Sequence, residues 1–263
     1  MEKLTMLDYV KETPGVLRTN IEQYTALVEP LMKEVQQKEI KRILLVASGS
    51  SHNACYCARS FVEKVSGLEV RIITPYTFTY YENDIKETDL VLVVTQSGLS
   101  TNAIEALKII KKKQYRAICL TGNKNSDVKD VADVVIEYGV GEELVGYVTK
   151  GVSSLALFLD LFAIAYSGKT EYLEELKKAV DLNEEMIDKA TSFIQKHYKN
   201  FSSMSWVYSC GAGANYGTAL ESALKMGETI HIPSCCYEIE EYIHGPNLQL
   251  TPQYNVIFFD GND

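Results

Sequence analysis

Two short stretches place hydroxyl groups where a phosphate could be held. Thr95-Gln96-Ser97-Gly98-Leu99-Ser100-Thr101 follows an apolar run, residues 90–94, and precedes a helical pattern that begins at residue 102. It offers four hydroxyls and an amide within seven residues. Ser48-Gly49-Ser50-Ser51 follows a second β-rich run, residues 43–47, in the same way. Small hydroxyl donors, free backbone N–H groups and a helix N-terminus together suit a phosphate monoester without any lysine. A helix cap needs one hydroxyl, so two serine-rich loops exceed what capping requires. Neither loop is the dinucleotide fingerprint G-x-G-x-x-G or a Gly-Lys-Ser phosphate loop.

The second half supplies ionisable groups. Glu221, Lys225 and Glu228 are spaced i, i+4 and i+7, which puts them on one helix face. A solvated charged face is the plain reading, but Ala219, Leu220, Ala223, Leu224 and Met226 make the rest of the helix small and apolar. Downstream, Tyr237-Glu238-Ile239-Glu240-Glu241-Tyr242-Ile243-His244-Gly245-Pro246 reads as a helix cut short by Gly-Pro, exposing the imidazole of His244 in a turn. His52, His197 and His231 read as structural. There is no H-x-x-x-H pattern and no Cys/His set, so no zinc site or other metal is expected. The six cysteines (55, 57, 119, 210, 235, 236) lie in apolar surroundings without ligand spacing. They read as reduced thiols of a cytoplasmic protein.

Those loops need a scaffold that ends several strands at one edge. Helical periodicity covers residues 15–38. Strands are then expected at 43–47, 70–73, 90–94, 117–120 and 134–137. Helices are expected at 53–64, 102–112 and near 128. Five buried strands alternating with helices, without a hairpin signal, imply an α/β doubly wound parallel sheet. In such sheets ligands bind beyond the carboxyl ends of the strands. An apolar helix over 150–166 closes this unit, and 171–199 reads as a helical bridge. The pattern then restarts with a strand at 206–210, a Gly-Ala-Gly turn and a helix over 215–228. Gly211 and Asn215 fall 162 residues after Gly49 and Asn53, which suggests an internal repeat. The second copy stops after a strand at 256–259, so it is expected to lack its end. The expected organisation is leading helices over 1–38, a first unit over 39–168, the bridge over 169–200 and part of a second unit over 201–263.

The net charge of −9 and the absence of a basic cluster beyond Lys111-Lys112-Lys113 argue against a nucleic-acid partner. No apolar stretch reaches the roughly 20 residues of a membrane span. The start, Met1-Glu2-Lys3, does not read as a signal peptide.

The combination SGSS, TQSGLST, E-x(6)-E and E-x-x-HGP resembles the sugar isomerase (SIS) domain family. The likeness is to its double-domain branch, which includes the isomerase half of glucosamine-6-phosphate synthase and the fructosamine-6-phosphate deglycases. The likeness covers nearly the whole chain, including residues 6–14, which resemble that branch's leading helix ending at a Gln/Thr-Pro step. It implies two three-layer αβα units, the second incomplete. It implies that Ser50, Ser51, Thr95, Gln96, Ser97 and Ser100 cradle a phosphosugar, with Ser97 and Ser100 most directly on phosphate. Glu228 would shuttle a proton between C1 and C2. His244 would open the sugar ring and would come from a neighbouring subunit, so a homodimer is implied. Residues 143–150 match a sugar-contacting loop, including Gly146, where an apolar residue often stands, and Lys150. No cofactor is implied.

Two departures matter. The synthase's glutaminase domain and its C-terminal imine-forming lysine have no counterpart in these 263 residues. Lys225, one turn from Glu228, reads as its electrostatic neighbour rather than a substitute. The expected activity is therefore deglycation or ketose-aldose isomerisation of a sugar 6-phosphate or its amine adduct. Amino-sugar phosphate isomerisation or deamination, an aminotransferase-type half and a non-catalytic phosphosugar sensor are the alternatives.

Overall fold

The computed structural model describes residues 4–36 and 38–261. Two helices lead the chain, α1 (Met6–Glu22) and α2 (Tyr24–Val35). Thr5 and Asp8 form a reciprocal capping box at the start of α1. Pro14 lies inside α1 and is buried, so the helix runs past the Thr-Pro step at which the sequence suggested it would end. An interior proline costs about 3 kcal/mol. Here the helix packs along two later helices, and that burial outweighs the lost hydrogen bond.

Five parallel strands follow: β1 (Arg42–Val46), β2 (Glu69–Ile73), β3 (Asp89–Thr95), β4 (Ile118–Thr121) and β5 (Val134–Glu137). Their order is β2-β1-β3-β4-β5. Successive residues of a strand face opposite sides, and the core divides accordingly. Ile43, Leu45, Leu90, Leu92 and Val94 join one apolar cluster, and Leu44, Val46, Val91 and Val93 join the other. Both faces are covered, as the continuous apolar runs require. One charge is buried in this sheet. Asp89, 2% exposed, pairs with Arg42 directly across the β1–β3 register, at 2.7 and 3.0 Å.

Helix α3 (Gly49–Ser66) connects β1 to β2, and α4 (Pro75–Tyr80) follows β2. Helix α5 (Thr101–Lys112) connects β3 to β4. Helix α6 (Lys150–Ser167) is apolar enough to cross a membrane by length and composition. It packs instead against α1, α2 and α3, with Leu155, Phe158, Leu161 and Phe162 fully buried. Helix α7 (Tyr172–Lys196) lies along α1 and leads through α8 (Tyr198–Ser202) to a second sheet.

That sheet has three parallel strands in the order β7-β6-β8: β6 (Trp206–Gly211), β7 (Ser234–Glu238) and β8 (Tyr254–Phe259). Helix α9 (Ala214–Lys225) packs on α3 and joins the two halves. Gly217 makes this approach possible, because a Cβ there would lie 2.5 Å from the Cys57 nitrogen and 2.7 Å from its sulfur. The helix expected to reach residue 228 changes character at Met226, where a π-helical turn (Met226–Ile230) begins. The stretch before His244 also differs from expectation. It is a strand end followed by one short helix, α10 (Ile239–Ile243), capped by Glu238.

Candidate active site

The strand order reverses between β1 and β3, and a crevice opens beyond their carboxyl ends. A cleft of about 920 Å³ occupies this place, with Ser50, Ser51, Thr95, Gln96, Ser97 and Ser100 on its walls. Gly146 also lines it, and so does Glu228 from the second half. No Lys, Arg or His lines the cleft among the described residues. An anion bound there would rely on hydroxyl and backbone N–H donors.

Local geometry prepares those donors. Gly49 opens α3 at φ 57 and frees the first-turn N–H groups beside Ser50 and Ser51. Ser100 caps α5 through its hydroxyl, which accepts from the Ala103 N–H at 3.4 Å. The Ser97 hydroxyl accepts from the Leu99 N–H at 3.2 Å. Gly98 is required twice over: its φ is 67, and a Cβ would lie 1.7 Å from the Ser126 hydroxyl. The end of β4 pins the same loop, because Thr121 Oγ1 and the Gly122 N–H both donate to the Gln96 carbonyl, at 3.2 and 3.0 Å. Ser51 and Thr95 are 8% and 7% exposed. Neither hydroxyl has a hydrogen-bond partner among the described residues, and both residues line the cleft. The two hydroxyls are left available to a ligand.

Ser50 is engaged differently. Its hydroxyl donates to Glu221 Oε1 at 2.9 Å and accepts from Lys225 Nζ at 3.1 Å. Asn53 donates to the other Glu221 oxygen at 2.8 Å. Lys225 also reaches Glu221 at 3.0 Å and Glu228 Oε2 at 2.7 Å. The ammonium thus donates to Ser50 and Glu228 and lies against the Glu221 carboxylate. This network ties the first-half loop to the second-half carboxylate. Among the described residues, Glu228 Oε1 has no hydrogen-bond partner.

Two candidates lie elsewhere. The Lys150 side chain does not reach the cleft. Its ammonium is buried 3.1 Å from Glu12 and 5.2 Å from the centre of the Tyr9 ring, in a separate cavity. Only its backbone N–H serves the cleft wall, through Glu143 Oε2 at 2.7 Å. His244 is exposed, 3.2 Å from Glu240, and is absent from the cleft lining of its own chain. Glu137, Asn123 and Glu143 line the cleft without having been singled out as site residues. For Glu143 the signal was its place at the head of the 143–150 loop.

The fold and cleft thus define a parallel α/β protein with a hydroxyl-lined switch-point crevice. Residues 38–165 match the SIS domain family. The chain is homologous to isomerizing glutamine–fructose-6-phosphate aminotransferases. Identity is 29% over 217 residues with that of Caldanaerobacter subterraneus subsp. tengcongensis, covering 79% of this chain and 36% of the relative. It is 28% over 258 residues with that of Clostridium tetani, covering 92% and 42%. The chain thus spans well under half the length of these relatives. Among solved structures, a protein of Clostridium difficile 630 provisionally assigned as a phosphosugar isomerase matches with a TM-score of 0.89 and 26% identity, over 99% of this chain and 76% of that one. The glucosamine-6-phosphate deaminase of Thermotoga maritima shares the fold, with a TM-score of 0.83 at 23% identity over 96% and 76%.

Proposed function

We propose that the protein is a phosphosugar-processing enzyme that moves a proton between C1 and C2 of a 6-phosphoketose or its amine adduct, as a deglycase or ketose-aldose isomerase. The observation that carries this reading is the presence of Glu228, from the second half, on the wall of the cleft that both hydroxyl loops line. Ser51, Thr95, Ser97 and Ser100 hold the phosphate, which orients the sugar. Glu228 takes the proton from one carbon and returns it to the next, and its Oε1 has no competing partner. General-base transfer of this kind requires such an accessible oxygen. Lys225, bonded to Oε2 at 2.7 Å, holds the carboxylate in place. His244 of the partner subunit completes the cleft in a homodimer. Its exposure, and its absence from the cleft of its own chain, support that reading. The free thiols accord with a cytoplasmic, reducing compartment.

The test is release of glucose 6-phosphate from fructosamine 6-phosphates, such as the lysine adduct, followed through a coupled dehydrogenase. Conversion of fructose 6-phosphate is measured in parallel. Glu228→Gln is expected to abolish turnover while phosphosugar binding survives. Loss of binding in that variant would make Glu228 a structural residue. Binding without turnover by the unsubstituted protein would favour a phosphosugar sensor.

A further inference from the structure

The wall of the cleft opposite α3 holds a carboxylate that looks misplaced in an anion site. Glu143 lines the cleft, yet all its visible bonds are spent inside the protein. Its Oε1 accepts from Gln96 Nε2 at 2.9 Å and from the Thr149 N–H at 2.9 Å. Its Oε2 accepts from the Lys150 N–H at 2.7 Å. The last two are N–H groups at the start of α6, where the helix dipole favours a negative charge. The charge of Glu143 is thereby turned toward α6.

Gln96 is held from its other end as well. Its Oε1 accepts from the Tyr138 hydroxyl at 3.1 Å. Tyr138 is fully buried, and burial together with the charge of Glu143 pushes its phenol well above the ordinary tyrosine range. The phenol therefore remains a donor. The amide also packs against the first turn of α6, where a Cβ on Gly151 would lie 1.8 Å from Gln96 Oε1.

The oxygen and nitrogen of a side-chain amide are told apart by the partners each meets. Here a carboxylate can only accept, so the nitrogen must face Glu143. We propose that Glu143 is a positioning residue: by fixing the orientation of the Gln96 amide, it leaves the second Nε2–H of Gln96 as a hydrogen-bond donor for the anionic group bound in the cleft. Glu143 does not touch the substrate in this assignment and acts through Gln96. It rests on the phosphosugar reading, which it deepens by naming what selects an anion at this wall.

Fructose 6-phosphate is the probe, titrated by calorimetry and in 1H–15N NMR spectra, with the Gln96 side-chain amide assigned through its loss in Gln96→Leu. In the unsubstituted protein that amide resonance is expected to move on titration. Glu143→Gln removes the obligatory acceptor and is expected to weaken binding at least tenfold. The exchanged pair Gln96→Glu with Glu143→Gln restores an amide–carboxylate bond, but with no donor left for the anion. It is expected to bind as weakly as the single variant. Wild-type affinity in Glu143→Gln, recovery of affinity in the exchanged pair, or a Gln96 amide that does not move when ligand binds would each overturn the assignment. If the unsubstituted protein binds no fructose 6-phosphate, the phosphosugar reading fails and the role of Glu143 falls with it.

Discussion

Gly151→Ala tests how firmly the cleft wall is built. Replacing a helical glycine by alanine ordinarily stabilises a helix by up to about 1 kcal/mol. At Gly151 the added methyl would lie 1.8 Å from Gln96 Oε1, 2.6 Å from Cδ and 2.9 Å from Nε2. Those atoms end a flexible side chain, so the glutamine can swing away, and no backbone need move. The penalty is then the two hydrogen bonds that hold it. The neutral bond from Tyr138 is worth about 1 kcal/mol, and the bond to the Glu143 carboxylate about 1.5–3 kcal/mol. After a helix gain of about 1 kcal/mol is subtracted, the net loss is about 1.5–3 kcal/mol. At roughly 2–4 °C per kcal/mol for a chain of this size, the melting temperature falls by about 3–12 °C. Phosphosugar affinity falls with it, because the displaced amide no longer faces its partners. Gly15→Ala is the control: it is helical with nothing within 4 Å of the added methyl, so it is expected to hold or raise the melting temperature. Thermal melts and calorimetry of both variants decide the matter. If Gly151→Ala melts no lower than the parent and binds fructose 6-phosphate equally well, the Gln96 amide is not packed on α6 and the reasoning is wrong.

Three further outcomes follow from single contacts. Thr95→Val keeps the shape of a hydroxyl that has no intramolecular partner; stability should change by less than about 0.5 kcal/mol, while calorimetry should show phosphosugar binding weakened about tenfold or more, the value of a hydrogen bond to a charged group. Arg42→Ala strands Asp89, 2% exposed, in the sheet, and denaturant unfolding should register a loss of about 3–5 kcal/mol. Asp160 on α6 has a fully covered Oδ1 without a partner, and burial raises its carboxyl well above its ordinary 3.8. The raised native value means that its contribution to stability is present in full below that ordinary value and is lost as pH rises through the native one. Asp160→Asn should therefore melt higher than the parent at neutral pH, and the gap should close on acidification toward pH 3.8; a constant gap would show that the group does not titrate on unfolding.

Much of the first sheet was legible because its strands are buried on both faces. Residues 43–46 and 90–94 are unbroken apolar runs, and such runs admit few other readings in a chain with helices between them. What composition could not show was where polarity is tolerated. Asp89 extends β3 by one residue only because Arg42 faces it in register, a pairing of residues 47 apart. Pro14 and the turn after Lys225 failed for the opposite reason. The local signal was strong or continuous, but tertiary packing carried α1 through its proline. At residue 226 the helix changed to π geometry inside an unbroken helical pattern. A π turn has no periodicity of its own in sequence, and such turns often mark functional sites. This one holds Glu228.

The site was legible in proportion to how local its parts are. The hydroxyl loops sit next to their strands in sequence, so the strand-end rule placed them at once. The 143–150 loop was read as a row of ligand contacts, yet its two charged members serve other ends. Lys150 turns its ammonium to Glu12, and Glu143 spends its carboxylate on Gln96 and α6. Sequence order cannot show this, because which way a side chain points at a helix start depends on what packs behind it. The Glu221–Lys225–Glu228 face was visible from spacing, and spacing alone left it indistinguishable from a solvated helix face. Its meaning comes from α3, more than 160 residues earlier, where Ser50 and Asn53 grip both oxygens of Glu221. Glu221 is thereby fixed, Lys225 is fixed against it, and Glu228 is fixed against Lys225. Under the proposed function, a carboxylate that takes up and returns one proton at a defined carbon would benefit from such a support. The support exists only once α9 has packed on α3, so the competence of the cleft is a property of the joint between the two halves rather than of either sequence segment.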